Sequence, residues 1–152
     1  MVWRESKGRN RVRGDLKMRE IKFRAWDKKT KKMRTVESIG FGELCYYNEG
    51  YPVVNMIGRD CVNDKDIIIH RDSYQHELMQ YTGLRDKTGK ELYEGDIIKT
   101  FCGELRIIKY LEEYGAFKAI HIKYKEGIVT DLKNLEFEII GNIYKNSELV
   151  GD

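Results

Sequence analysis

From Ile21 onward the chain alternates with a period of two. Ile21, Phe23 and Ala25 fall on one side, and Lys22, Arg24 and Trp26 on the other. After the polar stretch Asp27-Lys28-Lys29-Thr30-Lys31 the alternation resumes, with Met33 and Thr35 opposing Lys32 and Arg34. A helix needs apolar residues at a period near 3.6, so this pattern buries a continuous face only as extended backbone. Alternation on both sides of a polar turn predicts a β-hairpin. Residues 37–66 hold Gly40, Gly42, Gly50, Gly58 and the single proline, Pro52. They read as short strands and loops, with Tyr46, Tyr47 and Tyr51 packing over the core edge.

The second half repeats the theme. Leu78–Leu84 reads as a strand, and Asp86-Lys87-Thr88-Gly89-Lys90 as a tight turn with Gly89 in the left-handed position. Glu91–Lys99 is interrupted at Gly95-Asp96, after which Ile97 and Ile98 are expected to be buried. Leu105–Leu111, Phe117–Tyr124 and Leu135–Ile143 complete a set of short strands, and no segment has convincing helical periodicity. A mainly β fold follows. A small, strongly curved barrel is the economical form, because closure removes sheet edges.

With 152 residues, 41% of them hydrophobic and 11% aromatic, the chain can bury a core as one compact domain or two very small ones. The expected division is a disordered basic leader at 1–17, a β-rich region at 18–77 and a small barrel at 78–149. The longest apolar scraps, such as Ile67-Ile68-Ile69, fall far short of the ~18 residues of a membrane span. The leader also lacks the apolar centre of a secretory signal. Three cysteines, Cys45, Cys61 and Cys102, show no short pairing, which argues for a reducing compartment. The expected setting is the cytoplasm, without a membrane.

Charge is unevenly placed. Residues 1–34 hold 14 basic against 4 acidic side chains, whereas residues 35–152 hold 14 against 21. A basic front on an acidic body suits contact with a polyanion, contact between two copies, or simply an arginine-rich leader. Arg13-Gly14-Asp15, shortly before Met18, can be encoded by a purine-rich string resembling a ribosome-binding region. Met18 is therefore expected to be the native start, and without 1–17 the net charge is −1.

Residues with catalytic chemistry form no recognisable set. His70, His76 and His121, with Cys61, Asp64 and Asp66, lack the paired spacing of a zinc site. The Asp86 turn departs from a calcium loop, with glycine at its fourth place and lysines where oxygen ligands belong. Gly40-Phe41-Gly42 has no phosphate-loop continuation, and no serine stands in a nucleophile motif. Neither catalytic residue nor metal nor cofactor is assigned, and a small hydrolase or nuclease is disfavoured. What remains is the first hairpin. Lys22, Arg24, Lys32 and Arg34 are expected on one face beside Trp26, cations for phosphates and a ring for a base. The same face would serve an acidic protein partner, self-association, or plain solvation.

Three blocks carry a family resemblance. They are Met18-Arg19-Glu20-Ile21-Lys22-Phe23-Arg24-Ala25-Trp26-Asp27, the run from Met79 to Ile98 containing Tyr81-Thr82-Gly83-Leu84-Arg85-Asp86-Lys87-Thr88-Gly89-Lys90, and Ile139-Ile140-Gly141-Asn142-Ile143-Tyr144. In this order they resemble the YopX family, small proteins of bacteriophages and prophages in Gram-positive bacteria. The resemblance implies a β-rich N-terminal part followed by a barrel like those of Src-homology-3 domains. It brings no established activity and no site residues. Gly83 and Gly89 then suit turns, Gly95-Asp96 opens a strand, and Tyr81 and Tyr93 lie at the core edge.

Overall fold

The computed structural model describes residues 19–41, 52–124 and 128–151. The leader, Met18, Gly42, Cys45, Tyr46, Tyr47, Gly50 and Tyr51 lie outside the described residues. The strands are β1 Phe23–Asp27, β2 Lys32–Gly40, β3 Val53–Asp60, β4 Lys65–Arg71, β5 His76–Arg85, β6 Glu91–Tyr93, β7 Asp96–Thr100, β8 Leu105–Leu111, β9 Ala116–His121, β10 Val129–Asp131 and β11 Phe137–Asn142. Single 3-10 turns at Ser73–Gln75, Glu112–Tyr114 and Ser147–Leu149 are the helical elements among the described residues. No helix there is long and apolar enough to cross a membrane.

Every strand pairing is antiparallel. The first sheet has the order β4-β3-β2-β1-β5-β6 and the second β10-β9-β8-β7-β11. The expected hairpin forms, because Asp27 organises its turn. The Asp27 carbonyl accepts the Lys31 N–H at 2.8 Å, and its carboxylate accepts the Lys29 N–H at 3.1 Å. In the first sheet, Ala25, Val36, Ile39, Val54, Met56, Ile69 and Leu78 meet on one face. They come from five strands, so that face must curl around them, helped by the register shift between Val36 and Ser38.

The second sheet is covered on both faces. On one side Ile98, Ile108, Ala119, Leu132, Phe137 and Ile139 pack with Leu84 and Leu92, which belong to the β5–β6 hairpin of the first sheet. On the other, Ile97, Ile107 and Ile122 are capped by Ile143, Leu149 and Val150 from the C-terminal segment. This corrects the expectation of a closed Src-homology-3-like barrel, for β10 and β11 remain at opposite edges of an open sheet. Closure is one way to remove apolar surface from water. Here a neighbouring hairpin and the C-terminal segment cover it instead.

The expected boundary between residues 77 and 78 falls inside β5. That strand pairs with β1 along 76–80 and with β6 from Tyr81 to Arg85. Gly83, expected in a turn, instead sits within β5 at φ +89°, where the register against β6 shifts. A glycine supplies the left-handed backbone that such a bulge needs. The Asp86–Lys90 turn forms as expected, with Gly89 at φ +87°.

Candidate functional site

The five residues expected to share a face are divided by the register of the first hairpin. Opposed residues in an antiparallel pair project to the same side. Ala25 opposes Arg34 and Asp27 opposes Lys32, whereas Arg24 opposes Thr35 and Trp26 opposes Met33. Lys32 and Arg34 therefore lie on the side of Ala25 and Asp27, and Lys22, Arg24 and Trp26 on the other. The four-residue connection Lys28–Lys31 sets this. A hairpin shifted by one residue would have united the cations.

On the Asp27 side the cluster is closed. The Asp27 carboxylate is completely buried. It accepts Arg71 through Nε at 2.8 Å and Nη2 at 2.9 Å, Thr30 Oγ1 at 2.7 Å and Arg34 Nε at 3.4 Å. Burial works to raise its pKa, but the hydrogen bonds from Arg71, Thr30 and the Lys29 N–H prevail and hold it well below the usual carboxylate range. Arg34 is thereby committed to the interior, with its side chain 14% exposed.

On the opposite side, β1 packs against the second sheet. Arg24 Nη2 donates to Asp96 Oδ1 at 2.5 Å, and its guanidinium lies 4.6 Å from the Tyr93 ring centre. Asp96 also accepts the Tyr93 N–H at 2.8 Å, and burial pushes its carboxyl pKa upward against the pull of Arg24. Trp26 is buried and stacks on Tyr144 at 6.1 Å between ring centres. Its ring is engaged inside the protein, not presented to a base. Lys22 bonds Glu20 and Glu91, both at 2.7 Å, and those hydrogen bonds drive its pKa upward. Glu91 also accepts the Tyr93 hydroxyl, whose pKa is pushed up to about 12 by burial and that carboxylate. Lys22, Glu91 and Tyr93 line a cleft of about 560 Å³ with Ile21, Thr35 and Ser38.

Of the expected set, only Lys32 is both exposed and without a carboxylate partner among the described residues. It has company that the alternation did not single out. Lys29 and Lys31 at the hairpin tip are exposed, and among the described residues neither side chain has an ionic partner. Within the first hairpin the free basic surface is thus the tip, Lys29, Lys31 and Lys32, while Lys22, Arg24 and Arg34 serve the scaffold.

The remaining buried polar groups are structural too. Asp86 accepts the N–H groups of Thr88 (2.9 Å), Lys90 (3.0 Å) and Ile139 (3.2 Å), and the Thr88 hydroxyl at 2.7 Å. Burial opposes its ionisation, but these bonds lower its pKa to about 2. It ties the β5–β6 turn to β11. His76 is buried with Nδ1 on the Asp72 carbonyl at 2.9 Å, and burial lowers its pKa. It shares a cleft of about 410 Å³ with Ser73 and Glu77, but no hydrogen bond joins Ser73 to it. No group of three His, Cys, Asp or Glu side chains could hold a metal ion among the described residues.

Sequence reasoning missed Asp27 and Arg71 as partners. A signal for Asp27 was present: it continues the Ile21-Phe23-Ala25 series, the side expected to be buried. Arg71 carried none, because its arrival depends on β3 and β4 returning over the first hairpin.

The family profile described as YopX protein matches residues 22–151. Two crystal structures share the fold. Protein EF1440 from Enterococcus faecalis is 24% identical with a TM-score of 0.54, covering 88% of this chain and 99% of that one. Protein yopX from Bacillus subtilis is 19% identical with a TM-score of 0.53, covering 89% of this chain and 98% of that one. A search of curated proteins finds no match.

Proposed function

This chain belongs to the YopX family, and on that footing we propose that it is a phage- or prophage-encoded protein that works in the host cytoplasm by binding or self-association, without catalysing a reaction. One observation supports this most. The buried carboxylates Asp27, Asp86 and Asp96 are each engaged by neighbours that hold strands or turns together, and His76, which lines a cleft, has neither a hydroxyl nor a carboxylate hydrogen-bonded to it among the described residues. An active site would instead set such a perturbed group against a nucleophile or a second titratable side chain in its cleft. A screen of ester, phosphoester and nucleic-acid hydrolysis with Mg²⁺, Mn²⁺ and Zn²⁺ tests the reading. It expects no turnover above buffer, and reproducible turnover that co-purifies with the protein overturns it.

A second reading, an accessory nucleic-acid-binding protein, rests on the unpartnered tip lysines Lys29, Lys31 and Lys32. Three phosphate contacts on a duplex give a slope of about −2.7 in log affinity against log salt. Anisotropy of labelled DNA and RNA reads this directly. The triple variant Lys29→Glu, Lys31→Glu, Lys32→Glu should abolish the binding, and a flat salt response removes this reading. Arg24→Glu is unsuitable as a probe, because it would place a second carboxylate against buried Asp96.

A further inference from the structure

Among the described residues the two sheets leave four edges, and three of them are poor templates for another strand. β6 and β10 have three residues each, and β11 shifts register between Ile139 and Gly141. β4 differs. It has seven residues, Lys-Asp-Ile-Ile-Ile-His-Arg, and pairs with β3 without a register shift from Val54↔Arg71 to Asp60↔Lys65. Among the described residues nothing pairs its outer edge. Ile67 is 41% and Ile68 59% exposed, and Ile57, which opposes Ile68 on β3, is 39% exposed. Long, regular, apolar edges are those that natural sheets usually block with proline, bulges or central lysines; β4 has none of these.

We propose that β4 is the contact of a two-fold homodimer, pairing antiparallel with β4 of a second copy about an axis through Ile68. This deepens the self-association part of the function proposed above. The occupant follows from the strand's own pattern. An axis at Ile68 sets Ile68 against the partner's Ile68, Ile67 against the partner's Ile69, and Asp66 against the partner's His70. Moving the axis to Ile67 sets Asp66 against the partner's Ile68, and moving it to Ile69 sets Asp66 against the partner's Asp72. Only the Ile68 axis matches apolar with apolar and the acid with a basic side chain. The strand is therefore self-complementary, as an isologous interface requires.

The neighbouring strands extend the match. On the outer face Ile57 and Ile68 meet the partner's Ile68 and the partner's Ile57 in a four-residue apolar row. Beside it run Arg59, Asp66, the partner's His70 and the partner's Asn55. Among the described residues Asp66 has no ionic partner, since Arg59 is bonded to Asp64 at 2.6 Å. His70 holds Asn55 Oδ1 through Nδ1 at 2.9 Å, with Nε2 3.5 Å from Asp72. That fixes the ring on the edge strand where the partner's Asp66 would arrive. Lys65 opposes the partner's Arg71, whose guanidinium is turned away into the Asp27 cluster.

Sedimentation velocity of the full chain across a concentration series decides the matter. The expected species has twice the 18.0 kDa chain mass. Ile68→Arg places two cations face to face on the axis and should weaken the dimer at least tenfold. Its site is exposed, so the circular dichroism spectrum should not change. Asp66→Lys should also weaken the dimer, and adding His70→Asp should restore it. A wild type that stays monomeric at its highest soluble concentration overturns the proposal. So does an Ile68→Arg protein of unchanged mass, or a double variant as weak as Asp66→Lys. The hydrolysis screen stays separate: turnover would remove the non-catalytic reading without altering the mass, and a monomer would remove this dimer with the screen still blank.

Discussion

Replacing Asp27 by asparagine removes one negative charge from the centre of the first sheet and almost nothing else. The carboxylate is completely buried, with Arg71 and Arg34 directed at it from side chains 14% exposed. Breaking a fully buried ion pair from one side costs about 3–5 kcal/mol, because the other charge is left without compensation. Two features reduce that here. The arginine tips retain some access to water, and the asparagine oxygen can still accept from Thr30 and the Lys29 N–H. The expected loss is about 2–3 kcal/mol, or about 5–10 °C in Tm for a chain of this size. Urea unfolding followed by circular dichroism at pH 7 measures it, and the slope against denaturant should not change. Adding Arg71→Met removes the stranded cation and should recover about half of the loss. A loss under about 0.5 kcal/mol would refute the reasoning, since exposed sites behave that way. The acid limb gives a second readout. The Asp27 pKa is depressed in the fold, so its stabilisation is present above the unfolded carboxylate pKa and lost as pH falls through the native one. Asp27→Asn should therefore flatten the fall in stability below about pH 4.

Three further outcomes can be checked with the same unfolding assay. His76 has a depressed native pKa, so the unfolded chain takes up the proton first; stability should fall as pH drops below about 6.5, and His76→Gln should weaken that dependence. Asp86→Ala leaves the N–H groups of Thr88, Lys90 and Ile139 without their acceptor and should cost about 2–3 kcal/mol, with hydrogen exchange accelerating first in the 86–90 turn and at Ile139. Gly95 stands at φ +78°, with its N–H on the Ile108 carbonyl and its carbonyl accepting the Ile143 N–H. Gly95→Ala should cost about 1–2 kcal/mol from backbone conformation, and a neutral result would mean that the backbone there relaxes freely.

The strands were legible wherever alternation ran between turn residues. The hairpin as far as Thr35, β5, the Asp86 turn, the break at Gly95-Asp96, and β7, β8, β9 and β11 stand where the sequence pattern placed them, whereas the end of β2 at 37–40 fell in a stretch read as short strands and loops. β10 was not legible, because three residues carry too little pattern. β3 and β4 were read only as short strands and loops. Ile67-Ile68-Ile69 is an unbroken apolar run, and its edge position follows from its place in the sheet, not from its periodicity.

The candidate face was legible as composition but not as geometry. Read along the chain alone, the residues show which segments are extended, where the backbone turns, and that cations and carboxylates are abundant near the first hairpin. Which charges meet depends on strand register and on contacts between distant segments. A one-residue choice of register sends Arg34 to Asp27 and Arg24 to Asp96, and the return of β4 brings Arg71 across 44 residues to the same carboxylate. Side-chain alternation is a local property of extended backbone, so it can be read along the chain. Neutralisation of charge depends on long-range approach, and no local period records it. The lysines left over at the tip, and the edge left open at β4, are visible only after those pairings have been made.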